Sequence, residues 1–163
     1  MTIPIPVAFH HTCFLVRDLE GAAQQMADAV GIGPWNIWTI TPSDCRVRGQ
    51  VSHFSFRVAL ATVGGGTYEF ITPHSGRSVL DEHLEEYGEG FHHTGLVYPS
   101  LEAVREAKAH LRRQGRELVQ EASAGDVFEF GYFRFPEIGS LVEVLYLDAA
   151  KLPAPENVIQ PSS

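Results

Sequence analysis

The sequence predicts an α+β protein: two βαβββ modules that pair into a curved, cleft-forming, eight-stranded mixed sheet assembly. The first observation behind this is a repeat. "FHHTCFLVRDLEGA" begins at Phe9 and "FHHTGLVYPSLEAV" at Phe91, and each runs from a double histidine through an apolar stretch to a Leu-Glu pair. Second, each copy passes from a β-compatible run into a segment of helical periodicity and then into three further β-compatible runs. Third, the 163 residues, 44% apolar and 20% charged, suffice for one compact domain over residues 1–150.

In chain order, Val7 to Val16 reads as a strand. Asp18 then offers an N-cap to a helix carrying Ala22, Ala23, Met26 and Val30 on one face, and Gly31 ends it. Gly33-Pro34 turns the chain into a strand over Trp35–Ile40, "VSHFSFRVAL" supplies another, and the glycines at 64–66 turn it into "TYEFIT". The first module therefore covers about 7–73. Ser78 caps a linker helix, about 78–88, with Val79, Leu80, Leu84 and Tyr87, released by Gly88 and Gly90. The second module, about 91–147, repeats the pattern. "FHHTGLVY" is followed by a helix from Ser100 with Leu101, Val104, Ala107 and Leu111 on one face, ended by Gly115. The strands "RELVQ", "DVFEFGYFRF" and "SLVEVLYL" complete it, and 151–163 reads as a loose Pro-rich tail.

Composition bounds the partners. A formal charge of −8 argues against nucleic acid, since a phosphate backbone needs a dense positive surface. No apolar run is long enough for a membrane span, and the N-terminus does not read as a secretion signal. Cys13 and Cys45 are too few for a disulfide framework, so a reducing cytoplasm is expected, with both as small buried thiols. Arg105, Lys108, Arg112 and Arg116 recur at helical spacing as one basic stripe, read as a solvated face or, more sharply, as an anchor for a polyanionic substrate tail.

The candidate chemistry lies at matched places in the two copies. The opening strands supply the pairs His10-His11 and His92-His93, and the last strands supply Glu69 and Glu143 within apolar runs. A carboxylate in an apolar strand is costly unless paired, protonated or coordinated. Strand side chains alternate in direction, so one histidine of each pair faces a cleft and its neighbour faces away. By alternation alone either can be the inward one, with the same choice in both copies.

The paired modules, with "YEFITP" and "YGEGFHHTGLVY", resemble the vicinal oxygen chelate superfamily over about residues 7–147. That superfamily contains glyoxalase I, methylmalonyl-CoA epimerase, extradiol dioxygenases and bleomycin-resistance proteins. The local likeness is strongest to the epimerase-like and glyoxalase I branches. The resemblance implies that the second histidine of each pair is a metal ligand, giving the set His11, Glu69, His93 and Glu143. Epimerases often have Gln at the place of Glu69, whereas glyoxalase I uses the His/Glu/His/Glu set seen here. The epimerase base, a glutamate on the third strand, has no carboxylate counterpart in "VSHFSFRVAL", which offers Ser52, His53 and Ser55.

Such a set suits a six-coordinate divalent ion, Co, Ni, Mn, Fe or Zn, with open positions for substrate oxygens. The expected activity is that of a metal-dependent isomerase, epimerase or lyase. It would abstract a proton next to a chelated carbonyl or thioester of a small molecule, with Glu143, Glu69 or His53 as the base. A coenzyme A thioester would need cationic anchors such as Arg46, Arg48 or the basic stripe. The alternatives are an Fe(II) ring-cleavage dioxygenase and a non-catalytic drug-binding protein. A homodimer is the expected assembly. His74, His83 and His110 read as solvated. Trp35, Trp38, Phe128, Phe130 and Phe133 read as core, some of them lining the cleft and favouring an apolar or aromatic substrate.

Overall fold

The computed structural model describes residues 2–162. Among these, eleven strands and three α-helices follow in the order β1 (Ala8–Leu15), α1 (Leu19–Val30), β2 (Trp35–Ile40), β3 (Asp44–Val47), β4 (Gln50–Ser52), β5 (Ser55–Val63), β6 (Gly66–Ser75), α2 (Val79–Glu86), β7 (Gly90–Val97), α3 (Leu101–Arg113), β8 (Leu118–Ala124), β9 (Phe128–Phe135), β10 (Ser140–Leu147) and β11 (Asn157–Ile159). The protein is α+β. The chain divides into two compact units, one of residues 11–41, 54–92 and 153–163, the other of residues 1–10, 42–53 and 93–152.

In the first unit the strands run in the order β11-β2-β5-β6-β1. β1 and β6 are parallel and the other pairs antiparallel. The Asp18 carboxylate accepts the Gly21 N–H at 2.9 Å and starts α1, and Gly31, at φ 73°, ends it. The buried stripe Leu19, Ala23 and Ala27 packs on Trp35, Ile37, Ala59, Ala61, Phe70 and Ile159. Trp35 stacks on Phe70 with ring centroids 4.5 Å apart. Across the unit, Arg57 of β5 grips Glu20 through both guanidinium nitrogens, at 3.0 and 2.6 Å, and fixes the first turn of α1 to the sheet. α2 starts in a capping box, Ser78 donating its N–H to Asp81 while its hydroxyl accepts from Leu80.

In the second unit the order is β7-β10-β9-β8-β3-β4, with β7 and β10 parallel. The topology β7-α3-β8-β9-β10 repeats β1-α1-β2-β5-β6, strand for strand. α3 is capped by Ser100, whose hydroxyl accepts the Ala103 N–H. Its apolar stripe Val104 and Ala107 packs on Tyr98, Phe133 and Val144.

Three expectations need correction. "VSHFSFRVAL" is not one strand: Val51 and Ser52 close the hairpin β3–β4, and β5 begins at Ser55. The hairpin turns at Arg48-Gly49, with φ 48° and 79°, the left-handed pair that a two-residue loop needs. This hairpin belongs to the second unit, where β3 pairs with β8, although it is written inside the first module. The tail expected to be loose carries β11, which pairs antiparallel with β2 and buries Ile159. Arg116 lies beyond α3 and stacks its guanidinium over Phe135 at 4.6 Å, so the basic stripe ends at Arg112 or Arg113.

Candidate metal centre

Each unit brings one histidine and one glutamate together by the same register. In the first, β1 and β6 pair in parallel with Cys13 opposite Glu69, and His11 stands two residues before Cys13. In the second, β7 and β10 pair in parallel with Gly95 opposite Glu143, and His93 stands two residues before Gly95. An offset of two keeps imidazole and carboxylate on one face of the sheet.

The distances agree as well. His11 Nε2 lies 3.7 Å from Glu69 Oε1, and His93 Nε2 lies 3.6 Å from Glu143 Oε2. Both are too long for a hydrogen bond. Two donor atoms about 2.1 Å from one ion stand roughly 3.0 Å apart at a right angle and about 3.4 Å apart at the tetrahedral angle. The observed separations lie a few tenths of an ångström beyond this range. All four side chains are buried, His11 at 1%, Glu69 at 9%, His93 at 0% and Glu143 at 5% exposure. Each pair thus buries a ring nitrogen and a carboxylate oxygen within 4 Å of one another in apolar strands, residue types and a spacing that two ligands of a divalent cation also have.

The alternation seen in the sequence is resolved in the second pair. His92 turns to the opposite face, where its ring meets that of His83 of α2 at 4.9 Å. Burial depresses the His83 imidazole below its ordinary value. His83 is therefore half-buried rather than solvated, and His74 is exposed.

Beside the second pair stands Tyr132, its ring 4.6 Å from that of His93 and its backbone directly opposite Glu143 in the β9–β10 register. Phe128 stacks on Phe130, and the Phe130 ring lies tilted against that of Tyr132 at 5.0 Å, so this face of β9 is an aromatic ladder. Sequence reasoning passed over Tyr132. Its signal was the period of two with Phe128 and Phe130. Phe133 points the other way, into the core under α3. Trp35 is core, and Trp38 donates its indole N–H to the Pro153 carbonyl at 2.9 Å. His53 lies exposed between β4 and β5. Among the described residues, no helix is long and apolar enough to cross a membrane.

Residues 10–132 match the family model of the glyoxalase/bleomycin resistance protein/dioxygenase superfamily. The chain belongs to this superfamily, the vicinal oxygen chelate proteins. Solved structures of the same fold include methylmalonyl-CoA epimerase from Mycobacterium tuberculosis, 18% identical, TM-score 0.63, with 92% of this chain and 94% of that one covered. An epimerase variant from Streptomyces coelicolor in complex with 2-nitronate-propionyl-CoA is also 18% identical, at TM-score 0.62, with 91% and 100% covered. A hypothetical protein from Bacillus halodurans is 15% identical at TM-score 0.58, with 92% and 98% covered. No curated protein sequence matches the chain.

Proposed function

We propose that this vicinal oxygen chelate protein is a divalent-metal-dependent enzyme of the epimerase and glyoxalase type, removing a proton next to a carbonyl or thioester of a small molecule. His11 and Glu69 supply one half of the ligand set, and His93 and Glu143 the other. The observation that carries this reading is the repeated pair: the same two residue types, buried, in the same parallel register and at nearly the same distance in each unit. When bound, a divalent ion of the Co, Ni, Mn, Fe or Zn type polarises a carbonyl oxygen and stabilises the charge that forms as the adjacent carbon loses its proton.

The chain's own groups do the rest. Two neutral imidazoles give lone pairs, and two carboxylates offset the charge of the ion. The proton passes to a carboxylate oxygen of Glu69 or Glu143; the alternative base outside the ligand set is His53, exposed between β4 and β5. The aromatic ladder Phe128-Phe130-Tyr132 gives the substrate an apolar wall and excludes water. An acyl thioester is the favoured substrate, because a solved relative of this fold holds methylmalonyl-CoA and another holds 2-nitronate-propionyl-CoA.

Metal analysis of the purified protein tests the site. About one ion per chain is expected. Glu69→Gln and Glu143→Gln should each lower affinity by at least the roughly 10–100-fold that loss of a mere outer-shell partner costs. Equal metal content in wild type and Glu143→Gln would overturn the assignment. Solvent-deuterium exchange into acyl thioesters and 2-hydroxycarbonyl compounds tests the reaction. Oxygen uptake after anaerobic loading with Fe²⁺, without exchange, would identify an oxygen-dependent enzyme instead.

A further inference from the structure

On the second unit, the face of the sheet turned away from His93 and Glu143 carries a second concentration of charge. Cross-strand register builds it. Glu129 of β9, Ser123 of β8 and Asp44 of β3 form one row, and Gly131, Glu121 and Arg46 form the next. Tyr132, which touches His93, alternates with these residues along β9 and so points to the other face. α3 lies over the rows and lowers Arg105, Lys108 and Arg112, spaced i, i+3, i+7, onto them. Gly131 makes room: a Cβ there would stand 3.6 Å from Lys108 Cδ and 3.0 Å from Leu118 Cδ1.

Between helix and strands is a pocket of about 310 Å³ lined by these groups. Lys108 forms the floor, 6% exposed, its Nζ 3.0 Å from Glu129 and 2.5 Å from Glu121. Arg105 Nε donates to the other oxygen of Glu129 at 2.8 Å, and Arg112 Nη2 to the other oxygen of Glu121 at 3.0 Å. Three cations thus meet two carboxylates whose four oxygens are all engaged. The positive charge left over has no acceptor among the described residues. The Nη pair of Arg105 and the Nε and Nη1 of Arg112 remain at the half-exposed rim. Arg46 joins them, held only loosely by Asp44 at 3.9 Å.

Forked guanidinium donors with N–H groups to spare, on a pocket whose four cations outnumber its three carboxylates, suit an anionic phosphate group. We propose that this pocket is a phosphate-binding site, taking the phosphate or diphosphate group of a small phosphorylated molecule. Arg105, Arg112 and Arg46 at the rim supply both the surplus charge and the directional hydrogen bonds, while Lys108 stays engaged by Glu121 and Glu129. The site is separate from the candidate metal centre and stands whether or not that assignment holds. The phosphate belongs either to the far end of a substrate that reaches round the sheet edge or to a free effector.

The test is calorimetric titration of the full chain with inorganic phosphate and with pyrophosphate at low ionic strength, in the absence of added metal. Saturable binding is expected, weakened by salt. Loss of one charge-assisted bond is worth about tenfold, so Arg105→Gln/Arg112→Gln should weaken pyrophosphate by at least that factor. Arg77→Gln, which breaks a pair with Glu85 on α2, should change nothing. Arg46→Gln leaves no buried carboxylate unpaired and should weaken binding severalfold with melting temperature intact, so the proposal survives any folding defect in the double variant. Non-saturable heats, or equal affinity in wild type, Arg46→Gln and a folded double variant, would overturn it. Competition assigns the source: pyrophosphate displaced by a coenzyme A thioester belongs to a substrate tail, and both bound together mark an effector site.

Discussion

Replacing Lys108 with Met isolates what holds α3 to its sheet. The Lys108 side chain is 8% exposed and meets the side chains of Glu129 and Glu121, 9% and 16% exposed. Burial pushes the Glu129 carboxyl up, but the hydrogen bond and charge of Lys108, with those of Arg105, more than reverse this and hold it below the usual 4.5. Removing one partner of a buried pair costs about 3–5 kcal/mol, because the remaining charge is left in a poor solvent. Each glutamate keeps one arginine, Arg105 or Arg112, both half-exposed. The loss should therefore fall at the lower end, about 3 kcal/mol, which for a chain of this size lowers the melting temperature by about 6–12 °C. The pH dependence follows from linkage. A carboxyl whose folded value lies below its unfolded value adds stability above the unfolded value, and that stability disappears as pH falls through the folded value. In Lys108→Met the folded value of Glu129 rises. The gap between variant and wild type, read by thermal melts, should be widest near neutrality and close as pH falls below about 4.5. Lys108→Met combined with Glu121→Gln and Glu129→Gln should recover more than half the loss. A melting temperature unchanged in the single variant, or a gap that widens in acid, would refute the reasoning.

Truncation after Leu152 removes β11, the burial of Ile159, the acceptor of the Trp38 indole and the Glu156 bonds to Thr39. Burying one such side chain is worth about 1.5–3 kcal/mol. The truncated protein should melt at least several degrees lower with Trp fluorescence shifted to the red; an unchanged melt would mean that β11 is an ornament on β2. At Gly21 an added Cβ would stand 2.2 Å from Asp18 Oδ2, so Gly21→Ala must displace the cap. Loss of the cap costs about 1 kcal/mol, and Ala over Gly in a helix gains up to about 1 kcal/mol. Gly21→Ala should therefore be near neutral in the wild type and stabilising in Asp18→Ala, and equal effects in both backgrounds would contradict this contact.

Much of the fold was legible because duplication doubles every signal. Asp18 and Ser100 announce helices at equivalent places, and the runs after them alternate in the way a one-sided sheet demands. The hairpin β3–β4 escaped because Arg48-Gly49 is a weaker turn signal than Asn-Gly, and because β4 and β5 are joined by only His53 and Phe54, which read as a continuous strand. β11 escaped for a different reason. Three residues among prolines carry no periodicity, and their pairing with β2 is bought by tertiary burial of Ile159 rather than by local propensity. At the candidate site, the types His and Glu were visible in the repeat. Their common face was not, because it depends on which residues of parallel strands lie opposite one another. Lys108 looked like one member of a solvated stripe. It is buried because Glu121 and Glu129, distant in sequence, come under the same helix.

The two carboxylate clusters on the second unit show opposite solutions to one physical problem. Glu129 is buried beside an ammonium that reaches it at 3.0 Å, and a lysine that close settles its charge without any ligand. Glu143 is buried beside an imidazole whose Nε2 lies 3.6 Å from its carboxylate. A histidine at that distance neutralises the carboxylate poorly unless it is protonated, and protonation would remove the lone pair that a metal needs. Near-identical geometry at His11 and Glu69 makes the arrangement a property of the duplicated strand pair. The proposed function puts a divalent cation among these donor atoms. Added Co²⁺ or Ni²⁺ should accordingly raise the melting temperature of the wild type and leave that of Glu143→Gln much less changed. The same rise in both would place the metal elsewhere.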